Sequence, residues 1–494
     1  MDLMTKVVSL CKRRGFVFQS SEIYGGLKSF YDYGPLGVDL KKNIAKLWWD
    51  DMVDNRENVV GLDSSIIMHP RVWQSSGHVS NFSDPLVDCL NCKARFRGDK
   101  QPSLAPGSTV TWRSKASGDN NVLKTGQVGD HGYVCPECGC PHLSQPRDFS
   151  GLFKTFLGAV DPLSCINPST PPSQAAIDHL LSQTVYLRPE TAQAMFIQFL
   201  NVQKSMGLKV PFGIAQHGKS FRNEIVVEHF IFRSCEFEQM EMEFFCEPGT
   251  EKEWLSYWSE NRLSWYQKYG NHRDNFRLRA HDSSELAHYS DACYDIEYQY
   301  PWGWDELEGV ASRGDYDLHA HSQGSKAKLS YFDPKKTDPA TGKVGWRYMP
   351  KVIEPAAGLT RAFLCFLLDA YSESRGVTST GEEKNRFFLN LHPLLAPYKA
   401  AILPLSKDDG LMTLAHSLGK EWRKSGLKLT VDGYQSIGKR YAKHDEIGTP
   451  YAVTVDHQSL VDHHVTVRNR NTTHQVRVPF KQAQLMITES LERR

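Results

Sequence analysis

Between residues 233 and 245 the chain reads RSCEFEQMEMEFF, and its odd positions are Arg233, Cys235, Phe237, Gln239, Glu241, Glu243 and Phe245. Side chains alternate faces along a strand, so these residues share one face and put charge where a sheet usually buries Val and Ile. Upstream, KSFRNEI (219–225) reads as a second strand. Antiparallel pairing of the two would bring Arg222 and Glu224 onto the same face. The connection, roughly 226–231, is longer than a two-residue hairpin turn. The pattern therefore predicts a sheet that carries a cation, an aromatic plate, a second cation and then carboxylates along one surface. Such a face either lies in water with cross-strand ion pairs or cradles a nucleotide. In the second case guanidinium meets phosphate, an aromatic ring meets a base, and the acids meet an ammonium.

Two further segments favour the cradle. In VYLRPETAQAMFIQFLNVQ (185–203), Pro189 suits the first turn of a helix whose apolar face is Ala192, Met195, Phe196 and Phe199. Glu190 near that N-terminus complements the helix dipole. In MPKVIEPAAGLTRAFLCFLLDAY (349–371), a strand carrying Glu354 leads through Pro355 and Gly358 into an apolar helix. Arg361 falls near the positive end of that helix, where a cation calls for an anion such as ATP phosphate.

At 494 residues the chain exceeds one ordinary core, and 40% hydrophobic with 23% charged residues is a globular composition. A net charge of +1 gives no bulk field for nucleic acid, so any such partner needs local patches. The longest apolar runs, such as AFLCFLL at 362–368, fall well short of the ~20 residues a membrane span needs. The N-terminus lacks a small-residue cleavage site and is read as an opening helix, not a signal peptide. Eleven cysteines, several in apolar segments, suggest free thiols in a reducing cytosol.

Apolar periodicity runs through 24–85, lapses over 86–176, and returns from about 184 to 390. The lapse reads as an insertion within a first domain of residues 1–390. After a linker at HPLLAP, residues 395–494 form a second unit, in which AAILPL, LKLTVD, YAVTVD and HHVTVRNR read as strands and LMTLAHSLGKEWRKSG as a helix. Inside the insertion, DCLNC and CPEC supply Cys89, Cys92, Cys135 and Cys138 as two CxxC pairs. This is four-thiolate zinc spacing, and a structural Zn²⁺ would replace the core that the insertion lacks. Thiol-rich turns without metal are the alternative, and Cys140 and His142 are spare ligands.

These motifs resemble a family. FRNE (221–224) with Arg233 and Phe237 resembles the second signature motif of class II aminoacyl-tRNA synthetases, and GLTR (358–361) opening a helix resembles the third. The helix–strand–Pro70 segment resembles the first, which in that class builds the dimer interface. In finer form, IYGGLKSFYDYGPLGVDLKKN, LRPETAQ, FRNEI, ELEGVASRGDYDLHAHS and VIEPAAG are similar to the homodimeric glycyl-tRNA synthetase family. In the tail, SIGKRYAKHDEIGTPYAVTVD resembles the anticodon-binding domain of several class II synthetases, with Lys439, Arg440 and Lys443 as phosphate contacts.

The resemblance implies an α+β fold: an antiparallel sheet flanked by helices, an inserted Cys-rich subdomain and a C-terminal α/β anticodon-binding domain. It implies a cytoplasmic homodimer that joins glycine to ATP, with Mg²⁺, and then to the 3′ end of tRNA(Gly). Arg222 would grip the α-phosphate and the glycine carboxylate, with Arg361 as its catalytic partner. Arg361 and Arg233 would face the other phosphates, Phe237 would stack on adenine, and Glu224 would read the adenine amino group. Glu306 with Leu307 would lie along the ATP site with Mg²⁺, and Arg313 at the same site. Asn223, the run Ser234, Cys235, Glu236 and Glu238, and Gly358, Leu359 and Thr360 complete the implied ATP set. Glu190, Glu241 and Glu354 would surround the glycine ammonium. Phe237, Glu238, Gln239 and Met240 would extend that pocket, as would Pro355, Ala356, Ala357 and Gly358. Arg97 in RFRGD matches a family arginine there. Many relatives have Ser after Pro355; Ala356 has no hydroxyl to offer glycine.

Two rivals stand beside this reading. A synthetase for another amino acid would need a side-chain pocket, whereas three acids mark this one. A regulatory protein of synthetase shape, like the polymerase accessory subunits, would lack ATP residues that are present here.

Overall fold

The computed structural model describes residues 2–113, 122–159, 173–282, 292–377 and 383–492. Seven strands make the central sheet: β1 (Val59–Gly61), β2 (Phe212–Phe221), β3 (Glu236–Cys246), β4 (Phe276–Ala280), β5 (Ala292–Tyr300), β6 (Gly303–Gly314) and β7 (Lys351–Gly358). Their spatial order is β4-β5-β6-β7-β3-β2-β1, antiparallel except for the β1–β2 pair.

The even positions of β3, among them Met240, Met242 and Phe244, turn to the back of the sheet. There they meet α3 (Glu251–Tyr269) and α5 (Leu359–Ala370), while α1 (Pro35–Trp49) packs on α5 from outside. Every residue of α5 except Arg361 is buried, as expected of a helix apolar on all sides. Burial of Phe363, Leu364, Phe366, Leu367 and Leu368 contributes on the order of 10 kcal/mol. That far exceeds the ~1 kcal/mol at stake in placing Arg361 at the helix's positive end.

The hairpin differs from its expected limits. β2 ends at Phe221 and β3 begins at Glu236, so Arg222 and Arg233 lie in the connection and not in strands. FRNE keeps the alternating pattern, but its backbone leaves the ladder: the Asn223 N–H bonds the Gly151 carbonyl. Pro189 likewise precedes its helix, because α2 (Ala192–Ile197) starts after Thr191.

In the insertion, Ser83–Asp88, Arg95–Arg97 and Arg147–Ser150 form a three-stranded sheet beside a hairpin of Thr109–Arg113 and Leu123–Gln127. The C-terminal unit has a five-stranded sheet of β8 (Ala400–Pro404), β9 (Leu429–Val431), β10 (Tyr451–Val455), β11 (His464–Asn469) and β12 (Gln475–Pro479), in order β9-β8-β10-β11-β12. Helices α6 (Asp409–Lys424), α7 (Ile437–Glu446) and α8 (Phe480–Glu492) cover it. The four expected strands and α6 are present; β12, α7 and α8 are additions. The basic cluster is corrected: Arg440 is buried and donates to the Pro404 and Asp432 carbonyls, and Lys443 pairs with Asp432 at 2.9 Å. Arg440 holds the fold together and is not available to phosphate.

Candidate active site

The front of the sheet sinks where its residues are small. Gln239 of β3 stands opposite Gly358 of β7, Glu241 opposite Ala356, and Ala356 opposite Gly309 of β6. The resulting cavity has Arg222, Phe237 and Arg361 at one end and Glu190, Glu241 and Glu354 at the other.

At the arginine end, the Arg222 guanidinium lies 5.4 Å from the centre of the Phe237 ring and 5.7 Å from that of Phe82. Its Nε donates to the Pro189 carbonyl at 3.0 Å. Arg361, third residue of α5, lies 4.6 Å over the Phe232 ring with Nη1 3.0 Å from Glu306 Oε2. That guanidinium holds the Glu306 carboxyl below its usual range. Two guanidinium groups over aromatic rings, one at a helix N-terminus, make a site for an anion attached to a flat ring. The side wall carries His281, whose Nε2 is 2.7 Å from Asp295 Oδ2.

At the acid end, Glu241 Oε2 accepts from the Thr191 hydroxyl, and Oε1 accepts from Gln239 Nε2 at 3.3 Å. Glu190 Oε1 accepts from Gln193 Nε2 at 2.9 Å, and its Oε2 is 3.3 Å from His78 Nε2. Arg313 donates to Glu354 Oε2 at 2.6 Å and to both Asp317 oxygens, at 2.8 and 3.0 Å. Burial, reinforced by Glu354 and Glu190, pushes the Glu241 carboxyl up to about 8. Burial raises Glu354 as well, against the pull of Arg313. Burial also opposes the charge on Glu190, but His78 and Arg313 outweigh it and hold that carboxyl well below its usual range. So many acids in so little water are arranged for a small cation.

Two irregularities in β6 aim its side chains. Glu297 pairs with Glu306 but Ile296 with Glu308, so Leu307 is an extra residue. The bulge leaves Glu306 at the cavity and sends Glu308 to the back, where Arg262 Nε donates to it at 2.7 Å. A second shift falls between Ser312 and Gly314, and the residue it skips is Arg313.

Comparison with known proteins decides what this arrangement belongs to. Residues 399–489 match the family described as an anticodon binding domain. The chain is 45% identical to the glycine–tRNA ligase of Treponema denticola over 96% of its own length and 94% of the relative's. It is 45% identical to that of Lysinibacillus sphaericus, with 99% of each covered, and 48% identical to that of Bifidobacterium longum, with 96% and 90% covered. The chain belongs to the glycine–tRNA ligase family. A prolyl-tRNA synthetase from Cryptosporidium parvum, solved with L-proline and AMP, has the same fold at a TM-score of 0.58. That likeness covers 98% of this chain and 74% of the other at 12% identity. The fold is thus class II synthetase-like, as the motifs led one to expect.

Within that frame the cavity takes in most residues to which the sequence pointed: Arg222, Glu224, Arg233, Ser234, Phe237, Gln239 and Glu241, then Glu190, Glu306, Glu354, Ala356, Gly358, Thr360 and Arg361. Others face away, because a motif read as a run includes both faces of a strand. Met240, Leu307, Ala357 and Leu359 sit in the core behind the sheet, and Pro355 lies opposite Val310. Glu238 pairs with Lys41 of α1 at 2.5 Å and with His217 at 2.8 Å, and Glu236 pairs with Lys219. Asn223 and Cys235 fasten the connecting loop through their backbones. Arg313 lies under the acids and not beside Arg222 and Arg361. Arg97 pairs with Asp84 at 2.8 Å and Asp99 at 2.7 Å in a neighbouring cavity that shares Glu224 and Arg233. Sequence reading missed Phe232, Thr191, His281 and Asp295. The alternating acids of YDIEY (294–298) repeat the pattern of β3 and were the signal for Asp295.

In the insertion, the sulfurs of Cys89, Cys92, Cys135 and Cys138 all lie within 4.8 Å of one another. Cys89 is 3.7 Å from Cys138, and Cys92 3.6 Å from Cys135. A tetrahedron with Zn–S bonds of ~2.3 Å has edges of about 3.8 Å, so the spacing fits zinc. Burial opposes the Cys138 thiolate, but the Asn91 amide, the Cys140 backbone N–H and the Cys92 and Cys89 thiols bring that thiol down to about 7. Cys140 and His142 are not in the cluster, and the His142 ring packs edge-on against Trp112.

Proposed function

We propose that the chain activates glycine with ATP to glycyl-adenylate and transfers glycine to the 3′ end of tRNA(Gly). The observation that carries this is the acid end of the cavity. Glu190, Glu241 and Glu354 converge there beside Ala311, Ala356 and Cys293, so a substrate meets charge for its ammonium and only small side chains beside it. In the first step a glycine carboxylate oxygen bonds the α-phosphorus, the bond to the bridging oxygen breaks, and pyrophosphate leaves. No protein nucleophile is needed, only positioning and charge neutralisation, which Arg222 and Arg361 supply. Phe237 and Phe232 offer faces for the base. Glu306 and Asp295 are hard oxygen donors on one wall, which suits Mg²⁺, and such an ion would screen the phosphate charge. In the second step the terminal tRNA hydroxyl attacks the acyl carbon and AMP leaves.

The C-terminal unit is assigned to the anticodon, and the cysteine cluster to a structural zinc. We also propose a homodimer in the cytoplasm. α1 buries its apolar face within its own chain, so the surfaces that call for a partner are the exposed Ile23, Tyr24 and Leu27. Sedimentation at micromolar concentration tests this, and an active monomer rejects it. Pyrophosphate exchange, run with each amino acid in turn, tests the chemistry. Glycine alone should support exchange; equal exchange with another amino acid, or none with glycine, overturns the assignment.

A further inference from the structure

One acid at this site has no role in the chemistry above. Glu243 is fully buried, and neither carboxyl oxygen accepts a hydrogen bond from a donor among the described residues. It follows Glu241 by two positions on β3, so it lies on the same face one pleat deeper. Glu241 pairs with Ala356 and Phe244 with Ile353, which sets Glu243 opposite Glu354 across the strands. Oxygens of Glu241, Glu243 and Glu354 all come within 4.8 Å of one another. On its other side Glu243 stands opposite Ile214 of β2, and the next residue on its face, Phe245, packs among Phe196, Phe199 and Phe212.

The surroundings decide the charge. Glu241 on β3 and Glu354 on β7 are the near acids. Arg313 on β6 bonds Glu354 and Asp317, the latter on α4 (Tyr316–Ser325) with His321, whose ring burial keeps from charging. Glu190 and His78 pair with each other farther along the cavity. Glu241 has Thr191 and Gln239, and Glu354 has Arg313; Glu243 has apolar side chains and two acids. Carboxylates this close and this dry cannot all ionise. An ionised Glu243 would be a buried charge without a partner, whereas a protonated one owns an O–H and faces an acceptor. Burial first, then the charge of Glu354, drives this carboxyl far above its usual range.

We propose that Glu243 works as a protonated acid that donates its O–H to Glu354. It is a positioning residue: with Arg313 on Glu354 Oε2, it aims the Glu354 carboxylate at the substrate ammonium. It also keeps one negative charge out of the trio, so the remaining acids approach a single cation with less mutual repulsion. This inference rests on glycine being the substrate.

Glycine-dependent pyrophosphate exchange by the wild-type protein comes first; without it the substrate assignment fails, and this inference with it. Given that activity, Glu243→Leu removes the donor, and glycine KM should rise roughly tenfold to a hundredfold with ATP KM within about twofold. Glu243→Gln restores an N–H donor without the charge and should bring glycine KM back to within about threefold of wild type. In infrared spectra taken well above pH 8, where Glu241 has lost its proton, the wild-type protein should show a protonated-carboxyl C=O band that Glu243→Gln lacks. If Glu243→Leu does not fold, the Gln variant and the band decide. A glycine KM that rises as much in Glu243→Gln as in Glu241→Gln would show that Glu243 acts as a charge. A silent Glu243→Leu would show that it is inert, and absence of the band that it is ionised. Any one of these overturns the inference.

Discussion

An acid that must bind a cation gains strength from burial only if it can lose its proton when the cation arrives. Glu241 is in that position: with its carboxyl pushed up to about 8, it is mostly protonated at pH 7 in the free protein. A bound ammonium would favour the carboxylate and pull the same group down in the complex. Glycine affinity should therefore rise with pH while Glu241 titrates in the free protein, and level off above about 8. Glu241→Gln keeps the shape and cannot charge. Its glycine KM should stay nearly flat over that range, so the deficit against wild type grows with pH to roughly tenfold to a hundredfold at the plateau. ATP KM should differ little, because Arg222 and Arg361 are untouched. A deficit that does not change with pH would show that Glu241 does not exchange a proton for the ammonium. The position of Glu241 on the ligand face was legible from parity, because strand geometry dictates it. Its charge was not, because that depends on Glu190, Thr191 and Glu354, which only the fold brings near.

Elements show the same division. Alternation along β3 and the apolar run of α5 were readable because each has one dominant period. The two irregularities in β6 were not, since a bulge breaks the period that sequence reading relies on. Leu307 therefore read as a ligand neighbour although it lies in the core, and Arg313 read as an ATP-site residue although it lies under the carboxylates. The insertion is the opposite case, where spacing alone brought the right four cysteines together. Its core is small, with Val87, Phe96 and Trp112 packed around the thiols. A structural metal can contribute on the order of 10 kcal/mol to so slight a core. Chelation of zinc should therefore melt the insertion, seen as lost protection of its amides from hydrogen exchange, while glycine-dependent exchange of pyrophosphate persists at reduced rate. Native protein without stoichiometric zinc by elemental analysis would end the zinc assignment.

At the scale of the whole molecule, the separation of two cores sets what can be removed. The C-terminal unit has its own core, built on Ile402, Leu411, Trp422, Val453 and Val467. All the cavity residues lie between 190 and 361, so cutting the chain after about residue 395 removes none of them. The cut is not free of consequence, because the units are joined through named side chains. Ile447 packs into the catalytic core, Glu446 accepts from Arg13 and Arg14 at 3.2 and 2.5 Å, and Asp445 takes Arg386 at 2.9 Å. Losing Ile447 costs about 1.5–3 kcal/mol of burial, the pairs of Arg13 and Arg14 with Glu446 add at most about 1 kcal/mol each, and the more buried Arg386–Asp445 pair adds to these. The truncated chain should melt lower yet remain folded, and its glycine and ATP KM should stay within about threefold of the full chain's. Charging of tRNA(Gly) needs the anticodon end held some distance from the cavity, and it should fall by more than a hundredfold. Melting curves come first, so that loss of fold is not mistaken for loss of function. If a folded truncation loses pyrophosphate exchange as completely as charging, the C-terminal unit acts on the cavity itself, and its assignment to the anticodon alone is wrong.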